Sequence, residues 1–414
     1  MRIFNLKTTE SDELVTLSAT VESLRDGSKE IWFATQKKFS NHLCTTRMDP
    51  FVVGLLYPAM QQGVDIQVDG CISKKLLFNI NNYAIPLIMA YSDTAKKITI
   101  TASETTSEII TCHGVGTGFS GGVDSFGTIY DRYEKEKDPE IKINSLLFLN
   151  VGSHGWDQDT AQLKFKTRYE YLEGFPKEIN LDFISLDSNL HYFHPWGHQE
   201  THTLTSAAGV LAMQNKFAKY YYSSAGLNFQ DTINCASRFK GIDIGGFCDP
   251  ILLPLLSTET TELILDGTPY SRTEKISNIA NYEPTFRFLN VCVSGEDTHT
   301  NCSVCSKCLR TLLALDFSGR LDQYSNLFDI AKYKKKKNDY IRQQIATKHK
   351  SSFSKANIEL AEKNNITLPS YFTSKVYFVL RHQLKAVAGK AVKAMFPEFS
   401  KKLKQLIHRR KVID

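Results

Sequence analysis

The chain has 414 residues, of which 42% are hydrophobic and 23% are charged. This length allows two or three domains with sizeable cores, and the composition excludes a disordered or fibrous chain. The N-terminus lacks the apolar core of a signal peptide, and no apolar run is long enough to span a bilayer. We therefore expect a cytoplasmic protein without a transmembrane segment.

The formal net charge of +6 hides an asymmetry. From Asp316 to the end the sequence has 22 Lys and Arg against 8 Asp and Glu, a net +14, whereas residues 1–315 have 28 against 36, a net −8. A basic stretch is usually a solvated face, but it also suits nucleic acid, a protein partner or an anionic membrane by charge. The sequence lacks the interleaved aromatic and basic pattern that is typical of a specific RNA platform.

Residues 1–110 are predicted to form an N-terminal α+β domain. Alternating apolar and polar residues predict strands over 14–21 and 30–35. Asp49, followed by proline, can cap a helix that ends near Gly63. The remaining predicted elements are a strand over 64–68, a helix over 76–90 and a strand over 97–101. This domain shows no catalytic cluster.

Residues 111–315 alternate strand and helix patterns. The apolar run over 145–151 is typical of a buried parallel strand. The other predicted elements are helices over 161–174 and 203–220 and strands over 183–186 and 220–225. Such alternation predicts an α/β fold with a doubly wound parallel sheet, whose ligands bind beyond the carboxyl ends of the strands.

Residues 316–414 are predicted to be a helical, basic C-terminal extension. The segment over 374–411 spaces its apolar residues irregularly among Lys and Arg, so it is amphipathic at best.

The stretch from Gly116 to Phe126 has the pattern of a strand that enters a glycine turn and then a helix. Gly121 and Gly122 let the backbone approach a ligand closely, and the amides at the head of the following helix favour an anion. No lysine follows the glycines, so this is not the loop of most ATPases. The stretch predicts a phosphate site of a different geometry. A glycine turn that binds nothing is the alternative.

The order Ser-Gly-Gly-Val-Asp-Ser over 120–125 resembles the signature of the PP-loop ATP-pyrophosphatase superfamily. The resemblance implies an adenine nucleotide alpha-hydrolase-like fold and cleavage of ATP to AMP and pyrophosphate. It makes Ser120, Asp124 and Ser125 the candidate catalytic residues, with Asp124 either ordering the loop or contributing to a Mg²⁺ site. The residues that it implies for nucleotide binding are Gly118, Ser120, Gly121, Gly122, Val123, Asp124, Ser125, Val151 and Gly152.

Four of the nine cysteines are clustered, at Cys292, Cys302, Cys305 and Cys308. Their C-x9-C-x2-C-x2-C spacing can surround one tetrahedral Zn²⁺, and a closed shell of four thiolates makes such a zinc structural. Free thiols, a redox pair and an iron–sulfur cluster are the alternatives. The other five cysteines are scattered, as reduced thiols are.

The glycine loop and the later cysteine cluster together resemble 7-cyano-7-deazaguanine synthase. Arg310, two positions after the last cysteine, and the segment Tyr270 to Ile276 agree with that family. The Arg-Asn pair of the family is not reproduced around 199–203, and the family's stretch after its second strand is replaced by 152–156. The chain therefore resembles a divergent relative.

Several other side chains are candidates without a firm role. A metal site from His191, His194, His198 and His202 is disfavoured, because Pro195-Trp196-Gly197 interrupts any helix between them. For His154, Asp231, Asp249 and Glu274 we weigh a structural role at least as heavily as contact with a ligand.

These patterns predict an ATP- and Mg²⁺-dependent ligase that activates a carboxylate-like group for C–N bond formation. The sequence leaves its oligomeric state open, with a homodimer as the candidate. One alternative is modification of a macromolecule, either tRNA, DNA or a partner protein. The other is a zinc-stabilised nucleotide sensor without turnover.

Overall fold

The computed structural model describes residues 1–23, 27–155, 157–193, 198–225, 228–236, 248–292, 300–381 and 383. It divides into two compact units. Unit 1 comprises Met1–Ser120 and Thr128–Thr268, and unit 2 comprises Gly121–Gly127 and Pro269–Asp414.

Unit 1 contains one large sheet. Its strands are β1 (Arg2–Glu10), β2 (Leu14–Ser23), β3 (Gly27–Gln36), β4 (Ile66–Ser73), β5 (Ile100–Thr106), β6 (Gly114–Gly118), β7 (Ser145–Asn150), β8 (Asp182–Ser188), β9 (Phe217–Ser223) and β10 (Glu262–Asp266). They lie side by side in the order β10-β9-β6-β7-β8-β3-β2-β1-β4-β5. Most neighbouring pairs are parallel, which confirms the α/β class and is compatible with a doubly wound sheet.

The five strands from β6 to β10 are all parallel to their neighbours in this half of the sheet. The chain places β7 and β8 on one side of β6 and then returns to place β9 and β10 on the other side. The order therefore reverses between β6 and β9, which is where ligands bind in open α/β sheets. The glycine loop begins at the carboxyl end of β6, at this point of reversal.

The N-terminal strands extend the same sheet. β3 pairs antiparallel with β8, with Phe33 opposite Ser188, and β2, β1, β4 and β5 continue outward from it. A single hydrophobic core joins both halves of unit 1, because Phe51 from the N-terminal region and Leu204 from the later region belong to one buried cluster. The predicted boundaries at residues 110 and 315 stay predictions.

The helices of unit 1 connect and flank these strands. They are α1 (Asp49–Gln62), α2 (Lys74–Asn79), α3 (Ile85–Tyr91), α4 (Val123–Ile129), which starts in unit 2, α5 (Gln158–Leu172), α6 (Gly174–Glu178), α7 (His198–Ala212), α8 (Phe229–Ala236) and α9 (Asp249–Leu255). α1 packs against α7, so an N-terminal helix contacts the half of unit 1 that contains β6 to β10.

Two local predictions need correction. The helix predicted over 203–220 ends at Ala212, and β9 begins at Phe217, because Phe217 and Tyr220 are aromatic residues that suit a buried strand. Asp49 does not cap α1. Its buried carboxylate accepts hydrogen bonds from Ser73 N and Gln214 Nε2 instead. Gly63 does end α1, with a φ of 70°.

Unit 2 is helical after the glycine loop. Its helices are α10 (Arg272–Ile279), α11 (Thr285–Phe288), α12 (Ser306–Phe317), α13 (Ile330–Thr347) and α14 (Ser352–Lys363), and residues 371–381 are also helical. α12 packs against α10, α13 and α14, so the predicted helical extension contains a packed bundle. Of the predicted amphipathic segment over 374–411, residue 382 and residues 384–411 lie outside the described residues. No helix in the described part of the chain is both long enough and apolar enough to cross a membrane.

Candidate functional site

The glycine loop joins β6 to α4. Phe119, directly after the strand, is buried, and its amide donates to Leu147 O at 2.9 Å. Ser120 is exposed. Gly121 has a φ of 73°, a left-handed conformation that residues with a Cβ adopt only at a cost. The strand, the turn and the helix that the motif requires are therefore all present.

The loop is held partly by its own groups. Ser125 is buried, and its hydroxyl donates to Gly122 O at 3.0 Å. Asn290 N donates to Gly121 O at 2.8 Å. Ser125 was predicted to bind the phosphates. Its hydroxyl can donate a hydrogen bond to a phosphate oxygen only after it turns away from Gly122 O. The remaining predicted loop contacts lie at the end of β6 (Gly118) and at the start of α4 (Val123).

Asp124 is bound by two cations of α10. Arg272 Nη1 lies 2.5 Å from Asp124 Oδ2, and Lys275 Nζ lies 3.3 Å from Asp124 Oδ1. The Lys275 side chain is 3% exposed, and that of Asp124 is 21% exposed. α10 begins with a capping box between Ser271 and Glu274, so the first turn that carries Arg272 is fixed, and Glu274 has the structural role.

The ionisation of Asp124 follows from these contacts. Burial on its own would raise the pKa of the carboxyl, but the charges of Arg272 and Lys275 and their hydrogen bonds outweigh burial and lower the pKa below its usual range. Asp124 is therefore an anion at neutral pH.

A third cation, Arg310 on α12, belongs to the same group. Its guanidinium lies 3.7 Å from the centre of the Phe353 ring. Burial, with the charge of Arg272, lowers the pKa of Arg310, and the neighbouring Tyr340 and Asp124 oppose that change. Arg310 Nε is buried without a hydrogen-bond partner among the described residues.

Cations outnumber carboxylates among the described residues that these contacts join. Arg272, Lys275 and Arg310 supply three cations, and Asp124 supplies one anion. Guanidinium and ammonium groups donate hydrogen bonds to phosphate oxygens, so this part of the described structure offers donors that suit a bound phosphate.

The four clustered cysteines come together in unit 2. Their sulfur atoms all lie within 4.8 Å of one another, with Cys292 Sγ to Cys305 Sγ and Cys302 Sγ to Cys308 Sγ both at 3.9 Å. The amides of Cys305 and Cys308 donate to the sulfurs of Cys302 and Cys305.

This geometry fits a tetrahedral metal ion. A disulfide requires sulfurs about 2.0 Å apart, whereas four thiolates at about 2.3 Å from a zinc ion are spaced by about 3.8 Å. The cluster could therefore hold a metal such as zinc. Cys305 also caps α12, so the same residues begin the helix that carries Arg310.

Val151 and Gly152 directly follow β7 in unit 1. Val151 is buried, and Gly152 has a φ of 125°. His154 lies beside them, with its Nδ1 at 3.1 Å from Asn150 Oδ1 and from Ser153 Oγ. These contacts favour a structural role for His154, since they fix its ring against its own loop.

The histidine group is only partly described. His191 and His202 are buried, whereas His194 and the side chain of His198 lie outside the described residues. Among the described residues, the four-cysteine cluster is the only set of His, Cys, Asp and Glu ligands placed to hold a metal ion.

Polar residues that are distant in the sequence form a cluster at the carboxyl edge of the sheet. The Thr203 hydroxyl donates to Asp249, and His202 Nδ1 lies 2.7 Å from the Tyr222 hydroxyl. Burial raises the pKa of Asp249 to about 7, and the hydrogen bond from Thr203 opposes it. The amide of Asp231 donates to Asn228 Oδ1 at 2.7 Å.

Only some of the residues of this site could be identified from the sequence. Arg272 and Arg310 stand in segments that resemble the synthase family, but their convergence on Asp124 requires the fold. Phe353 and Tyr340 had no recognisable signal, because they lie in the basic extension, where they pack against Arg310.

Comparison of the chain with protein-family models, with curated proteins and with solved structures gave no match.

Proposed function

We propose that the chain is an ATP-dependent adenylating enzyme, a divergent relative of 7-cyano-7-deazaguanine synthase in the PP-loop ATP-pyrophosphatase superfamily. It cleaves ATP to AMP and pyrophosphate, activates a carboxylate-like group, and passes the acyl group to a nitrogen nucleophile. The observation that carries this proposal is the convergence of Arg272 and Lys275 on Asp124 of the glycine loop, with Arg310 in the same group of charges.

A polyphosphate suits this group of cations better than a single carboxylate does. The leaving pyrophosphate carries several negative charges, and guanidinium groups bind phosphate oxygens through paired N–H donors. Ser120, exposed in the loop, adds a hydroxyl donor. In this proposal Arg272 and Arg310 stabilise the charge that develops on the leaving group, while Val151 and Gly152 contact the nucleoside.

The chemistry proceeds in two displacements. A carboxylate oxygen of the substrate attacks the α-phosphorus of ATP, the bond to the β-phosphate oxygen breaks, and pyrophosphate leaves with the electron pair. The nitrogen nucleophile then attacks the acyl carbon, the bond to the adenylate oxygen breaks, and AMP leaves. The nitrogen releases a proton as the C–N bond forms.

Asp124 fits the ordering role and not that of a metal ligand. Both of its oxygens are engaged by cations, Oδ2 by Arg272 and Oδ1 by Lys275, and a carboxylate so neutralised is a poor partner for Mg²⁺. In this mechanism Mg²⁺ binds to the phosphates of ATP and neutralises part of their negative charge. Cys292, Cys302, Cys305 and Cys308 would hold a structural zinc, which supplies no open position for chemistry.

The test incubates the purified chain with ATP, Mg²⁺, ammonium and a panel of heteroaromatic carboxylic acids, and quantifies the nucleotides and phosphates formed. We expect AMP and pyrophosphate in equal amounts, and a loss of both in Ser120→Ala and Asp124→Asn. Asp131→Asn is the matched control, because Asp131 forms an exposed i,i+4 pair with Lys135. Formation of ADP and phosphate contradicts the proposal, and binding of ATP without AMP indicates the sensor function.

A macromolecular substrate is the second candidate. Lys334, Lys335 and Lys336 are consecutive and exposed on α13, and their positive charges suit a polyanion. Their joint replacement by glutamate tests this candidate without removing α13. Salt-dependent binding of tRNA or DNA that this variant loses supports it, and binding that is unchanged contradicts it.

A further inference from the structure

Four apolar side chains lie exposed along one side of the 371–381 helix. Phe372 is 76% exposed, Val376 is 42%, Val379 is 41% and Leu380 is 53%. Their spacing of four, seven and eight residues from Phe372 is that of a single helical face. We call these four residues the apolar stripe.

The opposite side of the helix is anchored in unit 2. Ser374 is buried, and the Tyr377 hydroxyl donates to Asp339 on α13. Arg381 forms an ion pair with the same carboxylate, and Arg342 lies 5.3 Å from the centre of the Tyr377 ring. Since these contacts fix the helix on α13, the apolar stripe points away from the described part of the unit.

Lysine side chains lie beside the stripe. Lys348 lies 5.9 Å from the centre of the Tyr371 ring, at the start of the helix, and Lys350 is exposed two residues further along the chain. Lys375 is on the helix itself, whereas Arg381 is held on the opposite side by Asp339. No carboxylate stands among residues 371–381, and the chain from Asp316 onward has a net charge of +14.

We propose that this face binds the surface of an anionic lipid bilayer. In that orientation the apolar stripe enters the boundary between headgroups and acyl chains, and the lysines contact the anionic headgroups. An exposed apolar face rimmed by basic side chains is the pattern of helices that lie in the membrane plane.

The composition of the face favours lipid over nucleic acid. Base stacking requires open aromatic rings, and within the stripe only Phe372 supplies one, since Arg342 and Arg381 both lie over the ring of Tyr377. The other three members, Val376, Val379 and Leu380, offer no ring to a base, whereas acyl chains solvate them well.

Flotation of the full-length chain with vesicles tests the proposal. We expect binding to vesicles that contain roughly one part in three phosphatidylserine, and weak binding to pure phosphatidylcholine vesicles. The double variant Phe372→Ser with Leu380→Ser should lower the partition coefficient by about tenfold or more, because each loses an apolar side chain from the boundary region. Phe78→Ser with Ile109→Ser is the matched control, since both side chains are exposed in unit 1.

Circular dichroism should show the same fold for both double variants, as all four side chains are exposed. The proposal is overturned by a wild-type chain that stays unbound at low salt, or by binding that the stripe variant retains in full. It is also overturned if the stripe variant loses binding to single-stranded RNA, or loses a dimer, while vesicles fail to bind either chain.

Discussion

Arg272 Nη1 and Lys275 Nζ reach the two oxygens of Asp124, at 2.5 Å from Oδ2 and 3.3 Å from Oδ1. The loop acid is thereby tied to the first turn of α10, and α10 packs against α12, which begins at the cysteine cluster. Within unit 2, the conformation of the loop therefore depends on helices that lie far from it in sequence.

Asp124→Asn should destabilise the chain by about 2 kcal/mol at pH 7, because it removes a negative charge that contacts both Arg272 and Lys275. The folded-state pKa of Asp124 is lowered, so the contribution is present above the unfolded pKa of about 3.9 and is lost as pH falls through the folded value. Urea unfolding at pH 7 and at pH 3 measures this difference.

The control for that experiment is Asp131→Asn, which removes the exposed pair with Lys135 at 3.0 Å and should change the free energy of unfolding by less than about 0.5 kcal/mol. Equal effects of the two substitutions at pH 7 contradict a special role for Asp124.

Replacing Gly121 of the loop and Gly127 of α4 by alanine should change the stability of the chain in opposite directions. Gly121→Ala forces a Cβ into a φ of 73° and should cost about 1 to 2 kcal/mol. Gly127→Ala lies in α4, where the added Cβ meets only Lys275 Cγ at 4.0 Å, and should be neutral or stabilise the helix by about 0.5 to 1 kcal/mol. Thermal unfolding of both variants measures the contrast, and destabilisation by Gly127→Ala alone refutes the assigned loop conformation.

The cysteine cluster should hold about one zinc ion per chain. Cys305→Ser removes both a ligand and the cap of α12, so it should abolish zinc retention and lower Tm. Cys71→Ser should leave both unchanged, since Cys71 lies outside the cluster. Elemental analysis of the purified proteins decides the matter. Iron with visible absorbance, or zinc retained by Cys305→Ser, is incompatible with this assignment.

Phe353→Ala should lower the rate of AMP formation, because the ring at 3.7 Å fixes the guanidinium of Arg310. Arg310→Ala should lower the rate further, and Arg310→Lys should not restore it, since lysine lacks the planar donor pair. Arg342→Ala, which removes an arginine from another aromatic ring, should leave the rate unchanged. Steady-state kinetics with varied ATP provides the measurement, and an unaffected Phe353→Ala enzyme contradicts the role of the ring.

The predictions from sequence agree best with the structure where the residues of one short stretch determine the local conformation. The strand over 145–151, the helix that starts at Asp49 and the turn before Val123 all appear close to their predicted positions. The four cysteines also come together as their spacing predicts. In each case, the residues that determine the structure are neighbours in the sequence.

Contacts between residues that are far apart in the sequence could not be predicted. The pairing of Phe33 with Ser188 joins strands that are more than 150 residues apart, and no local pattern specifies such a register. The stacking of Phe353 on Arg310 was missed for the same reason. The predicted helix over 203–220 failed because tertiary pairing with β6 turned its last residues into β9.

The origin of the oxygen in AMP tests the central claim most directly. A carboxylic acid substrate labelled with ¹⁸O in its carboxylate is turned over with ATP and ammonium, and the products are analysed by mass spectrometry. Adenylation predicts one ¹⁸O atom in the phosphate of AMP and none in pyrophosphate, since the acyl–oxygen bond breaks when nitrogen attacks. Label in inorganic phosphate, with ADP as the nucleotide product, would show an acyl phosphate instead and would contradict the proposed function.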